Sequence, residues 1–467
     1  MKKFCLIALW LIIFTKISYA MMTQTIDSSG DVGKYTSLCA HCAGIFHDYF
    51  SDSGFAASYY DETNGNLKFI NDIGAFWNSL SPIVVDSTGD VGRFTSTTAW
   101  NDSSGLPIKE SILIGYYDVT NGDLKCAWRK SYLSDTFKLS IIDSAGDVGQ
   151  FTSIYVDTLN KTPYISYYDA INGDLKLAYF KDSAWSIQKI DTAGDVGKYN
   201  SIDGYADTIT ISYYDSTNGD LKLAKYNGTN WQIEKADTAG DVGKYSFISF
   251  SSWWTRIDYY DETNGDLKET WKNKDSLNWQ FYKRDTTGDV GLFANFGRNG
   301  YFSDLCYYDK TNGDLKMLNW GIADTAGDVG GYPSGVSFFG GTAVVYYDFT
   351  NKHLKKAAYF EIGVEEEKLN PAKTGFNLEV IKNKISLSVP NDYYPNVLIT
   401  IYDLTGRLKS TVYSGTLSKG DYTFTPNIKK SGIYFVQLTA VCHSDTERSE
   451  GEESNIIKIT KKLVLLK

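Results

Sequence analysis

Between Gln150 and Asp191 apolar and polar residues alternate in four short runs, QFTSIYVD, TPYISYYD, DLKLAYF and AWSIQKID, separated by turn-rich pieces. Tyr, Ile, Thr, Val and Trp dominate each run, and the partial period of two predicts four strands. The unit shows no helical periodicity. It recurs along the chain, marked by two strings. Variants of DTAGDVGKY place the Gly-Asp-Val-Gly aspartate at Asp31, Asp90, Asp147, Asp195, Asp241, Asp289 and Asp328; variants of YYDSTNGDLK place another between them, at Asp61, Asp118, Asp169, Asp215, Asp261, Asp309 and Asp348. Strict alternation at a period of about 40–60 residues is the sign of a repeat architecture. Seven units of four strands predict an all-β fold, a seven-bladed β-propeller.

The ends of the array support this reading. The seventh unit offers three strands and stops, while TQTID, Thr23 to Asp27, is an orphan strand ahead of the first Gly-Asp-Val-Gly. Giving it to the last blade would close the ring and remove an open edge. In the sixth unit only MLNWGIA separates Lys316 from Asp324, so its outer strand is expected to be short or missing. Asn-Gly between β-rich flanks suggests a two-residue type I′ turn at Asn218-Gly219. That register would set Asp215 opposite Lys222, Asp61 opposite Lys68, Asp118 opposite Lys125 and Asp348 opposite Lys355, cross-strand pairs worth about 0.2–1 kcal/mol each. In the linking string Gly194 and Gly197 permit a tight course, and Asp191 and Asp195 can accept local N–H groups. Both strings therefore read first as scaffold. Their functional alternative is cation or glycan contact at up to fourteen acidic loops on one face; they lack the ligand spacing and distal Glu of an EF-hand.

Charge and cysteine content narrow the partners. The formal net charge is −10, more negative still without Lys2, Lys3 and Lys16, and an acidic body repels nucleic acid and anionic membranes. A basic start, the apolar run FCLIALWLIIF and small residues at Ser18 and Ala20 read as a signal peptide, 1–20, cleaved after Ala20. No later run reaches the length of a spanning helix. Outside that leader Cys39, Cys42, Cys126, Cys306 and Cys442 are an odd set without even spacing, so no disulfide scaffold is expected.

A chain-specific site is best sought where the repeat breaks. SSWWTRIDYY in the fifth unit puts Trp253, Trp254 and Arg256 on an inner hairpin, where tryptophans either pack or stack on sugar rings. CAHCAGIFH holds Cys39, His41, Cys42 and His47, but a strand carries Cys39 and Cys42 to opposite faces about 10 Å apart, beyond a disulfide; a zinc site would need a turn and further ligands. NDSSGLPIKE, Asn101 to Glu110, reads as a polar loop. No Ser/His/Asp arrangement surrounds His41, His47, His353 or His443, so no catalytic residue is assigned. Carboxylates are numerous enough to keep glycoside-hydrolase chemistry open. No cofactor is required, and the oxygen-rich loops leave calcium open.

After the charged linker 362–373, residues 374–467 read as six or seven short strands, an immunoglobulin-like β-sandwich, with a polar insertion at Ser444 to Asn455. Asn370-Pro371, IYDLTGR at Ile401 to Arg407, SGIYFVQL at Ser431 to Leu438 and the terminal KKLVLLK resemble the C-terminal sorting domain of the bacterial type IX secretion system. That resemblance implies a Gram-negative host, passage through the periplasm and release or attachment at the outer cell surface. The body, 21–361, also resembles exported bacterial propellers related in shape to sialidases, which carries no activity across: the S-x-D-x-G-x-x-W box is absent. The sequence thus points to a secreted or surface-held, non-catalytic binding protein for a glycan or a protein partner. A secreted carbohydrate-active enzyme and a surface-layer component are the alternatives.

Overall fold

The computed structural model describes residues 18–42, 53–72, 81–102, 109–129, 136–157, 160–276, 278–295, 305–338, 341–362, 377–381, 384–389, 394–403, 408–426, 432–442 and 455–465. The chain divides into two compact units, Met21–Tyr359 and a second holding Met1–Ala20 with Phe360–Lys467. Among the described residues every regular element is a strand, and no helix is long and apolar enough to cross a membrane.

The first unit is a series of four-stranded antiparallel sheets, seven among the described residues. The fourth shows the pattern: Val196–Tyr205, Thr208–Asp215, Asp220–Tyr226 and Trp231–Asp237, paired in chain order. The others begin with innermost strands Val32–Cys42, Val91–Asp102, Val148–Asp157, Val242–Phe250, Val290–Asn295 and Val329–Phe338. The all-β expectation and the four-stranded repeat hold. In the seventh sheet the fourth strand is Ser18–Asp27, beside His353–Ile362; it starts before the expected cleavage point at Ala20. The outer strand of the sixth sheet is present but short, Gly321–Asp324.

One correction concerns the hairpin. Asp215 pairs with Asp220 and Tyr213 with Lys222, so the loop has four residues rather than two; Asp61 and Asp118 likewise face Asn66 and Asp123 instead of lysines. A type I′ turn needs positive φ at both central residues, and only Gly219, at 72°, has it. The Asp215 side chain decides the outcome. Its Oδ1 accepts the N–H groups of Thr217 and Asn218 at 3.1 Å, its Oδ2 accepts the Asn218 amide at 2.9 Å, and Gly219 N–H closes on the Asp215 carbonyl at 2.8 Å. An aspartate that satisfies three local donors favours the wider loop.

The innermost strands share a second device. Each is bulged at the same place; in the third sheet Gln150 faces Tyr168 and Ser153 faces Ser166, leaving Phe151 and Thr152 against one residue. The first bulged residue is aromatic in every case and left-handed: Tyr35, Phe94, Phe151, Tyr199, Tyr245, Phe293 and Tyr332 have φ of 48–56°. Their rings touch in sequence, with centroids 4.4–4.8 Å apart, and Tyr332 returns to Tyr35. Neighbouring planes are inclined by 43–60°.

In the second unit a three-stranded sheet, Asn377–Ile381, Lys384–Val389 and Gly420–Phe424, and a four-stranded one built on Tyr394–Asp403 and Gly432–Cys442 share a core. Leu378, Ile385 and Leu387 from the first meet Ile399, Ile401, Val436 and Leu438 from the second. The linker 363–373 and most of the polar insertion lie outside the described residues.

Candidate functional site

The repeated acidic residues come first, because they are the most numerous candidates. Asp191 ends the outer strand of the third sheet, yet its partners belong to the fourth: Tyr213 donates its hydroxyl at 2.7 Å and Lys222 its ammonium at 2.5 Å. Lys222 lies farther from Asp215, at 3.7 Å, so the expected Asp215–Lys222 pair is the weaker one. Equivalent sets join Asp27 to Tyr59 and Lys68, Asp86 to Tyr116 and Lys125, Asp143 to Tyr167 and Lys176, Asp237 to Tyr259 and Lys268, Asp285 to Tyr307 and Lys316, and Asp324 to Tyr346 and Lys355. Burial pushes the Asp191 carboxyl up; the lysine, the tyrosine and the Ala193 N–H outweigh it and hold the group below its ordinary value. The same burial, with the carboxylate beside it, raises the Tyr213 hydroxyl.

The Gly-Asp-Val-Gly aspartates Asp31, Asp90, Asp147, Asp195, Asp241, Asp289 and Asp328 are engaged as well. Each accepts a tyrosine hydroxyl from the preceding sheet at 2.6–2.7 Å: Tyr347, Tyr60, Tyr117, Tyr168, Tyr214, Tyr260 and Tyr308 in the same order. Asp195 corrects one expectation. Its carboxylate takes Tyr168 and Lys198 rather than local N–H groups, and its own N–H donates to Thr217 Oγ1 at 2.7 Å; Asp191 does form the expected turn, accepting Ala193 N–H at 3.0 Å. These carboxylates are fixed by sheet-to-sheet bonds, which leaves them poorly placed as cation ligands. Among the described residues no group of three or more His, Cys, Asp or Glu could hold a metal.

Where the repeat breaks, the chemistry differs. Trp253 is 74% exposed and Trp254 38%. Ser251 Oγ accepts both of their N–H groups at 3.2 Å, and Lys274 N–H donates to the Trp253 carbonyl at 2.8 Å. That bond ties the inner hairpin to the outer one, and Trp253 with Asn273, Lys274, Asp275 and Ser276 lines a hollow. An aromatic face beside amide, hydroxyl and charged groups is the composition that grips a sugar ring.

Arg256 does not join them. It is half-buried, with Nη2 3.0 Å from Asp258 and Nε 2.6 Å from Glu269, and Arg284 reaches Glu269 at 2.5 Å. Arg256 follows Trp254 by two residues in the same strand, and its guanidinium is taken up by the two carboxylates rather than by the hollow beside Trp253. Burial pushes Asp258 up to about 6 although Arg256 opposes it. Asp258 and Glu269 are unrepeated carboxylates in direct register, and they were missed in the sequence. The signal was available: other sheets carry Ser166 or Ser212, and Leu177 or Leu223, at these places. Cys39, Cys126 and Cys306 form no disulfide, and burial pushes the Cys126 thiol up to about 12. His47 lies outside the described residues, as do the side chains of His41 and Cys42.

No family model matches the chain, and no curated protein does. Solved structures with distant likeness include the fungal lectin of Aleuria aurantia, described with a six-bladed β-propeller fold and a novel fucose recognition mode. It is 11% identical, with 72% of this chain and 97% of that one covered at a TM-score of 0.41. AofleA from Arthrobotrys oligospora, as a triple arginine mutant, is 12% identical over 71% and 87%, at 0.42. A GH43_1 enzyme from Xanthomonas citri complexed with xylotriose is 8% identical over 51% and 84%, at 0.30.

Proposed function

We propose that the protein is a non-catalytic glycan-binding protein, built as a seven-bladed β-propeller that its N-terminal strand closes and followed by an immunoglobulin-like sandwich. One observation carries the binding role: Trp253 and Trp254 are exposed where the repeat breaks, Trp253 beside a hollow of polar groups, while the repeated carboxylates are bound into the scaffold. The signal-like leader and the motifs IYDLTGR and SGIYFVQL support export by the type IX route to the surface of a Gram-negative cell. Removing residues 374–467 is then expected to hold the chain in the periplasm, read by cell fractionation.

The binding role is tested by a glycan array of the full chain with calcium and then with EDTA. Binding that survives EDTA and is lost in Trp253→Ala/Trp254→Ala supports it. Calcium-dependent binding that ignores the tryptophans assigns recognition to the acidic loops instead, and an empty array moves the role to a protein partner or the surface layer. A second reading, a carbohydrate-active enzyme, has Asp258 and Glu269 in its favour, since a buried carboxyl near pKa 6 suits a general acid. Both are held by guanidinium groups and neither lines the central cavity. Polysaccharide hydrolysis abolished by Glu269→Gln would establish that reading.

A further inference from the structure

The innermost strands enclose a cavity of about 410 Å³, within the range of small-molecule pockets. The seven aromatic residues line one end, and the residues one to three positions farther along each strand line the rest. Among the described lining residues none is Asp, Glu, Lys or Arg. A charged ligand would be buried there without a counter-charge, at a prohibitive cost.

The wall carries unspent donors. Ser37, Ser96, Ser201 and Ser334 each accept a backbone N–H from the next innermost strand: Thr97 at 2.8 Å, Ile154 at 3.1 Å, Ile248 at 3.2 Å and Leu38 at 2.9 Å. A serine oxygen that accepts keeps its own proton to give. Among the described residues none of these four protons meets an acceptor, although Ser201 and Ser334 are only 4% and 3% exposed. A buried O–H without a partner is costly, so the cavity selects contents that accept hydrogen bonds.

We propose that the cavity binds one neutral polyhydroxylated ring, a single sugar residue or the end of a glycan chain. Its oxygens accept the serine protons, and its C–H groups lie against the aromatic end. The site shares its ligand class with the tryptophan surface and none of its residues, so the two are separable.

Isothermal titration of the full chain with a panel of neutral monosaccharides and disaccharides tests this, with melting temperature reporting the fold. Binding is expected to weaken at least tenfold in Ser201→Ala/Ser334→Ala, to return in Ser201→Thr/Ser334→Thr, and to persist in Trp253→Ala/Trp254→Ala. Ser96→Ala, a single change at an equivalent wall position, serves if the double variant does not fold. Binding that survives the serine changes and falls with the tryptophans would overturn the cavity and leave the surface reading standing. Absence of binding from the panel would overturn the cavity alone, which then holds water, because the array probes longer glycans at the surface.

Discussion

At the residue scale, two costly choices recur. Holding an aromatic residue in the left-handed region costs about 1–2 kcal/mol, and each ring pair returns about 0.5–1.5 kcal/mol. With as many contacts as rings, the aromatic circle nearly offsets its own strain, and the bulges persist because all are present together. The buried Asp191–Lys222–Tyr213 sets are the other choice. Breaking a buried pair leaves its partner's charge exposed to an apolar surrounding. Asp191→Asn is therefore expected to lower stability by about 3 kcal/mol in urea unfolding. The acid behaviour follows from the same groups. The linker aspartates sit below their ordinary value, so their contribution is present at neutral pH and is lost as pH falls through their folded values. Asp258 has the opposite sign. Raised from 3.8 to about 6, it stabilises while protonated, fully below 3.8, and that contribution is lost as pH rises through about 6. Asp258→Asn should flatten the stability profile across that interval. Lys189, Lys235 and Lys283 neutralise Asp174, Asp220 and Asp266, whereas the corresponding places opposite Lys125 and Lys316 hold Ile141 and Ile322. Burial raises Asp123 and Asp314 there. Ile141→Lys and Ile322→Lys are expected to bring both carboxyls down, measured by carboxylate NMR titration.

At the scale of the element, the period-two pattern made nearly every strand of the repeat legible, down to the short outer strand Gly321–Asp324. What it misjudged was loop width, because Asn-Gly is a statement about backbone while the Asp215 carboxylate acts through three hydrogen bonds. The tryptophans were legible as a break in the repeat; Arg256 lies two residues beyond Trp254 in unbroken register, and what the sequence did not show is that Asp258 and Glu269 take up its guanidinium. Asp258 and Glu269 went unseen because single polar substitutions look like noise until the register pairs them. The ring of aromatics was illegible for a different reason: nothing in a period of two announces a bulge. Gly197 marks one such place. Its φ is 106°, and a Cβ there would lie 2.8 Å from the Leu175 Cα of the preceding sheet. Gly197→Ala is expected to lower the melting temperature clearly more than an alanine at exposed Gly228, where no atom stands within 4 Å.

At the scale of the whole first unit, successive sheets are joined by an aspartate set and a tyrosine bond, and at five of the seven junctions among the described residues by a serine staple as well; the fifth and sixth innermost strands carry Phe247 and Asn295 in place of that serine. The link between the seventh sheet and the first uses the same parts, with Asp27 on Tyr59 and Lys68, Tyr347 on Asp31, and Ser334 on Leu38. Tyr347→Phe removes one bond at this junction and Tyr168→Phe its counterpart between the third and fourth sheets. Both should cost about 1 kcal/mol at equilibrium. If the junction is the last to form, Tyr347→Phe should raise only the unfolding rate in stopped-flow measurements.

The junction also sets a clock. Asp31 and Tyr347 stand 316 residues apart, and a ribosome adding about 5–20 residues per second needs about 15–60 s to make the second after the first. Throughout that interval the first sheet has no neighbour on one side and the strand Ser18–Asp27 has no partner, whatever the stability of the finished molecule.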